Sequence, residues 1–197
     1  MTTGSTCKPF EKFGAWYRDA TSGSAQNHPA AVCLSTVSAD GWPEARYVAL
    51  KEFDGEGFIF CTHAASAKVT SLESSGRAAL TFWWDAQERQ VRVQGTVKRL
   101  SREHAKKFFH QRSRQAQITS WASEQSRPVE DPADLDAKRA ECEARFAGSD
   151  VPCPDHFVAY RLEPVRLEFL TFQANRLHLR QLFTRQNGGW TSTFLQP

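Results

Sequence analysis

The sequence predicts a mainly β protein with inserted helices, an α+β chain whose antiparallel strands close or nearly close into a barrel. Three observations predict it. Short runs rich in β-branched and aromatic residues recur from Ala30 to Leu195. Tight-turn signals such as Asp40-Gly41 and Asn187-Gly188-Gly189 separate several of them. Helical spacing is confined to stretches that precede or interrupt these runs.

Residues 1–8 read as a disordered leader, and 9–197 as a single domain. From Phe10 to Ala20, Phe10, Phe13 and Trp16-Tyr17 follow helical spacing, and Ser22, Gly23 and Ser24 end the helix. Ala30–Val37 is an apolar strand, Ala45–Phe53 a second and Phe58–Thr62 a third, with Asp54-Gly55-Glu56-Gly57 as the turn before the third. A short helix covers Ser66–Ser74 and stops at Gly76. Arg77–Trp84 and Arg89–Leu100 are strands; in the latter Val91, Val93, Gly95 and Val97 alternate with polar residues, the pattern of one buried face. Ser101 is placed as an N-cap, with Glu103 in the first turn of a helix reaching about Gln111. Further helices are expected over Gln115–Ser123 and Asp131–Ala147; the latter sets Leu135, Cys142 and Phe146 on a face that Arg139 interrupts, so its burial is shallow. After Pro152 and Pro154 come strands Phe157–Leu162, Arg166–Thr171 and Leu177–Arg185, then a closing strand, Trp190–Leu195.

Composition narrows the function. The formal net charge of +3 is too small, and its charges too interleaved, for nucleic acid or an anionic membrane, so any anion is met by local clusters. No apolar run approaches a membrane span and no secretory pattern opens the chain, so a cytoplasmic protein is expected. Five cysteines without C-x-x-C spacing read as reduced thiols. The six histidines form no metal pattern, and the nucleophile elbow, Walker A loop and G-x-G-x-x-G loop are all missing. A phosphate must therefore be held by side chains and scattered amides.

Three basic clusters stand out. Arg46 and Lys51 lie five apart on one strand and point to opposite faces unless a bulge intervenes. Lys68 opens a helix just after Thr62 and Ser66, where a phosphate is welcome. Arg176, His178 and Arg180 alternate, so on a strand they share one face, an arrangement that repels unless an anion or carboxylate faces it. A single Lys or Arg on a strand is ordinarily just solvated. A lone histidine such as His63 or His156 is ordinarily surface or core.

The residues also carry a family order. Ala45-Arg46-Tyr47-Val48-Ala49-Leu50-Lys51 resembles the R-x-x-x-x-K strand of pyridoxamine 5′-phosphate oxidases. It is followed by Thr62 and Ser66-Ala67-Lys68, Glu88-Arg89-Gln90-Val91-Arg92-Val93, and Phe108-Phe109-His110-Gln111-Arg112. Trp121-Ala122-Ser123-Glu124-Gln125-Ser126 and Asn175-Arg176-Leu177-His178 complete the likeness, which runs from about Phe10 to Pro197. The resemblance implies an FMN-binding antiparallel split β-barrel, a homodimer with FMN at its interface. It implies oxidation of pyridoxamine or pyridoxine 5′-phosphate to pyridoxal 5′-phosphate, with dioxygen as acceptor and hydrogen peroxide as product. By matching position, Arg46, Tyr47, Val48, Lys51, Thr62, Lys68, Gln90, Gln125, Ser126 and Arg180 are expected to bind the cofactor. Lys51 and Arg112 are expected to meet the substrate phosphate, and Arg176 and His178 to hold the pyridine end and assist catalysis. No metal ligand is implied.

The chain departs from the family pattern at named positions. Phe108 stands where the family usually has Tyr and Ala116 where it has Ser, so two hydroxyls near the substrate phosphate are gone. A hydrogen bond to a charged group is worth about 1.5–3 kcal/mol. Ala67 replaces a usual Arg, Cys61 an aromatic, Leu170 a Trp beside the flavin and Leu179 an Asp. Two alternatives therefore stand beside the main reading: a paralogous FMN oxidase of a phenazine-type precursor, and a non-catalytic protein that binds flavin or pyridoxal phosphate.

Overall fold

The computed structural model describes residues 9–22 and 27–197. The expected leader, 1–8, and the Gly23-Ser24 end of the first helix lie outside the described residues. Five α-helices and eight strands are present among the described residues. Strands β1 (Ala31–Val37), β2 (Pro43–Phe53), β3 (Phe58–His63), β4 (Arg77–Trp84), β5 (Arg89–Arg99) and β6 (Phe157–Thr171) form an antiparallel barrel. They run in the order β3-β2-β1-β4-β5-β6, and pairing of β3 with β6 closes the ring. Strands β7 (Leu179–Gln186) and β8 (Gly189–Leu195) extend the sheet from β6.

Helix α1 (Pro9–Ser22) packs one face onto the barrel core because its helical spacing puts Phe13 and Ala20, both fully buried, on one stripe. The Phe13 ring meets Phe53 and Phe58 edge-on at 4.8 Å and Phe82 at 5.0 Å. These edge-to-face contacts are the favoured aromatic geometry. Ten of the fourteen Phe are buried, whereas Trp84 alone among the six Trp is.

The expectation of two strands over 157–162 and 166–171 needs correction, since β6 is continuous. Its first part pairs with β3 and its last part with β7, while β5 runs beside both. Pro164, which lacks an amide donor, marks the exchange of partners rather than a break. The β5–β6 register shifts between Gln94 and Gly95 there. A Cβ on Gly95 would lie 2.1 Å from the Glu163 carbonyl oxygen, so only glycine lets the two backbones approach.

A second core lies outside the barrel, on the faces of β3 and β6 turned from α1. There Ile59, Phe157 and Ala159 pack against Phe108 and Phe109 of helix α3 (Arg102–His110) and Ile118 of helix α4 (Arg114–Ala122). Burial on both faces explains the near-continuous apolar runs of these two strands. Helix α5 (Ala133–Arg145) contributes no buried residue of its own, in keeping with the shallow burial expected of it.

Two local features place the site. Helix α2 (Ala67–Ser75) starts after Ser66 as its N-cap and ends at Gly76, which adopts φ 62°. In β2 the register shifts between Leu50 and Glu52, a bulge centred on Lys51. The expected comb of Arg176, His178 and Arg180 on one strand face does not form. Strand β7 begins at Leu179, and Arg176 has φ 65°, a left-handed conformation that cannot continue a strand.

Candidate active site

A cavity of 760 Å³ opens between the β2–β3 side of the barrel, the start of α2 and the end of α4. That volume lies within the range of ligand sites. Of the expected residues, Arg46, Tyr47, Val48, Lys51, Thr62, Lys68, Arg112, Gln125 and Ser126 all line it. Residues from both faces of β2 reach this space, Arg46 and Val48 from one and Tyr47, Ala49 and Lys51 from the other.

Its cations fall into two sets. At one end, Lys68 is 8% exposed and its Nζ donates to Gln125 Oε1 at 3.2 Å. Thr62 Oγ1 donates to the same oxygen at 3.2 Å and lies 3.3 Å from Ser66 Oγ. Burial, then the Arg46 guanidinium, hold the Lys68 ammonium below its usual pKa. Arg46 is itself engaged: Nη1 donates to Thr36 Oγ1 at 2.7 Å and Nη2 to Glu44 Oε2 at 2.9 Å. A buried ammonium whose acceptor is a neutral amide fits a phosphate oxygen, which would restore its charge balance.

At the other end are Lys51 and Arg112. Arg112 lies over the Phe157 ring, 5.2 Å from its centroid, and its Nη1 donates to Ser120 Oγ. Burial lowers its pKa. Neither Phe108 nor Ala116 lines the cavity; Phe108 is 1% exposed in the second core. Ser120, one helical turn after Ala116, brings a hydroxyl to the wall instead. Cys61 stands beside these cations, yet burial pushes its thiol up to about 12.

Two histidines also line the cavity. The rings of His63 and His156 stack with centroids 4.1 Å apart and planes 21° apart. The Ala65 N–H donates to His63 Nδ1 at 3.1 Å, and His156 Nε2–H donates to the Ser120 carbonyl oxygen at 2.7 Å. Sequence reasoning missed His63, His156 and Ser120. Nothing in the sequence marks residues this far apart as neighbours; the β3–β6 pairing of His63 with Phe157 creates the meeting.

Four expected residues lie elsewhere. Gln90, Leu170 and Arg180 are consecutive cross-strand neighbours on β5, β6 and β7. Glu168, 7% exposed, accepts from Arg180 Nε at 2.8 Å and from Arg92 Nη2, in a smaller hollow of 370 Å³. Arg176 and His178 occupy the connection before β7. There the Gln173 N–H donates to His178 Nδ1 at 3.0 Å, and the imidazole packs on Phe172, 4.6 Å between centroids.

A closed antiparallel barrel with a ligand-sized cavity and two separate sets of cations defines a class, a barrel protein built to hold phosphorylated small molecules. Residues 24–145 match the family described as Pyridoxamine 5′-phosphate oxidase, and residues 157–197 match that described as Pyridoxine 5′-phosphate oxidase C-terminal dimerisation region. The chain belongs to the pyridoxamine 5′-phosphate oxidase family. It is 42% identical over 194 residues to the pyridoxine/pyridoxamine 5′-phosphate oxidase of Rubrobacter xylanophilus, covering 98% of this chain and 89% of that protein. With the Chelativorans sp. enzyme of the same name the identity is 43% over 191 residues, covering 96% and 91%. Among solved structures, PhzG from Burkholderia lata, in complex with tetrahydrophenazine-1-carboxylic acid, superposes with a TM-score of 0.91 at 31% identity, covering 100% and 98%. A pyridoxamine 5′-phosphate oxidase-related, FMN-binding protein from Nostoc punctiforme shares the fold at TM-score 0.78 and 17% identity, covering 100% of each chain. Membership of this family suggests a flavin cofactor, and the C-terminal dimerisation region suggests a homodimer. No helix among the described residues is long and apolar enough to cross a membrane.

Proposed function

We propose that the chain is an FMN-dependent oxidase that converts pyridoxamine or pyridoxine 5′-phosphate to pyridoxal 5′-phosphate. Dioxygen is the acceptor and hydrogen peroxide the product. The observation that carries this reading is one cavity with two cation sets, Arg46 with Lys68 and Lys51 with Arg112, one set for each of two phosphate esters.

In this reading Lys68, Arg46, Thr62, Gln125 and Ser126 hold the FMN, with the backbone of Tyr47 and Val48 along it. FMN, when bound, accepts a hydride from the substrate and returns the electrons to dioxygen. Lys51 and Arg112 anchor the substrate phosphate, and Ser120 keeps the Arg112 fork in place. The amine carbon loses two electrons, and water supplies the aldehyde oxygen as ammonia leaves. Substrate orientation, rather than covalent attack, is the protein's contribution.

Gln90, Arg180, Arg176 and His178 reach the site from a second copy of the chain. Leu177, Leu179 and Phe194, 64%, 59% and 74% exposed, surround this second set and supply apolar surface for the homodimer. Arg176 and His178 then close over the pyridine ring.

The likeness to PhzG favours a second reading, an FMN oxidase of a phenazine-type precursor, whose carboxylate carries less charge than a phosphate ester. FMN-loaded protein mixed with pyridoxamine 5′-phosphate in air separates the two. Aldehyde and peroxide should appear together, and Arg176→Ala should slow them while FMN stays bound. Turnover of a tetrahydrophenazine acid but of neither B6 phosphate would replace the first reading with the second.

A further inference from the structure

The stacked histidines have no part in the function above, and one of them has an unspent proton donor. The Ala65 N–H occupies Nδ1 of His63, so the neutral ring carries its proton on Nε2. That nitrogen makes no hydrogen bond among the described residues, although the ring lines the cavity. His156 fixes the ring plane: it stacks on His63, and its own Nε2–H is anchored on the Ser120 carbonyl oxygen.

Charge at this end of the cavity is short of what a phosphate ester brings. Arg46 is paired with Glu44, 2.9 Å away, whereas Lys68 has no carboxylate partner among the described residues. Ala67, which also lines the wall, offers only a methyl group. A phosphate dianion placed against Lys68 therefore meets about one net positive charge. His63 is electrostatically coupled to Lys68 and stands on the same wall.

We propose that His63 is a third phosphate-binding side chain of the flavin end, donating its Nε2–H to the FMN phosphate beside Lys68, with His156 as the positioning residue that holds its ring. The inference rests on the reading that this cavity holds FMN. The groups that face His63 are His156 from the segment before β6, Glu124 from the connection after α4 and Lys68 from α2. Without an anion, burial and then the His156 ring lower its pKa, Lys68 lowers it further, and Glu124 opposes them. A docked dianion raises it. A second proton would have to enter at Nδ1, which accepts from the Ala65 N–H, so the ring binds as the neutral Nε2–H donor and adds no pH slope above pH 7.

The test uses apoprotein titrated with FMN and, as a phosphate-free control, with riboflavin, followed by quenching of flavin fluorescence. Above pH 7 the phosphate, with its second ionisation near 6, is essentially dianionic and adds little slope of its own. His63→Phe, which keeps a ring to stack on His156 and removes the donor, should reduce the preference for FMN over riboflavin about tenfold at pH 7. Riboflavin affinity should stay the same, and the loss of FMN preference should be equal at pH 7 and 8.5. His156→Ala should lower the preference in the same way, and His156→Phe, which keeps a stacking ring, should restore most of it. An unchanged preference in His63→Phe overturns the assignment, as does an equal loss of riboflavin affinity. Wild-type protein that binds neither flavin sinks the cofactor reading itself, and this inference with it.

Discussion

Replacing Glu168 by Gln keeps the shape of the side chain and removes a buried negative charge between two arginines. The carboxylate is 7% exposed and accepts from Arg180 Nε at 2.8 Å and from Arg92 Nη2. An amide in its place accepts through one oxygen and turns an NH2 donor toward a guanidinium. Breaking a buried pair costs about 3–5 kcal/mol. The side chains of Arg92 and Arg180 are 48% and 24% exposed, so water relieves part of this; about 2 kcal/mol is the expected loss. For a chain of this size that is about 4–8 °C in Tm. Burial pushes the Glu168 pKa up, but the hydrogen bonds from Arg180 and Arg92 outweigh it and leave the group below its ordinary 4.5. The stabilisation is therefore complete above the unfolded pKa and is lost as pH falls through the folded value. Urea unfolding of both proteins, at one fixed protein concentration, should show the full gap at pH 7 and a closing gap below about pH 4.5. A difference under about 0.5 kcal/mol at pH 7, or a gap that widens in acid, would refute the reasoning.

Three further outcomes are expected. Gly95→Ala forces a Cβ to within 2.1 Å of the Glu163 carbonyl oxygen, which is backbone and cannot swing aside; a loss of about 1–3 kcal/mol in chemical denaturation checks it. Cys61, with its thiol pushed up to about 12, should resist iodoacetamide at pH 8, where about one molecule in ten thousand is thiolate; rapid labelling in a peptide map contradicts this. Arg112→Ala and Arg176→Ala homodimers should each turn over poorly, but co-refolded mixtures should regain about a quarter of wild-type activity, because half of randomly mixed dimers carry one intact composite site. No recovery on mixing would mean that both arginines act within one chain.

Much of the barrel was legible because strands with one buried face write alternation into the sequence, as Val91, Val93 and Gly95 do. Of the two strands buried on both faces, β3 was legible to within one residue and β6 was not. The sequence pattern divides β6 into two strands, 157–162 and 166–171, whereas one strand runs through and changes partners near Pro164. The arginine comb failed for a backbone reason: Arg176 takes a left-handed φ of 65°, which alternation in the sequence does not reveal. At the site, Arg46, Lys68, Gln125 and their neighbours were found through family order, which brings distant segments together without any local signal. The His63–His156 stack had neither family order nor local pattern to announce it and needed the β3–β6 register.

The most direct test of the account is the reductive half-reaction alone. FMN-loaded protein is mixed without oxygen with one equivalent of pyridoxamine 5′-phosphate, and the flavin absorbance near 450 nm is followed. The account predicts bleaching of the flavin with one aldehyde formed per flavin, and return of the yellow colour with one peroxide when air is admitted. A flavin that stays oxidised with both pyridoxamine and pyridoxine 5′-phosphate would contradict it.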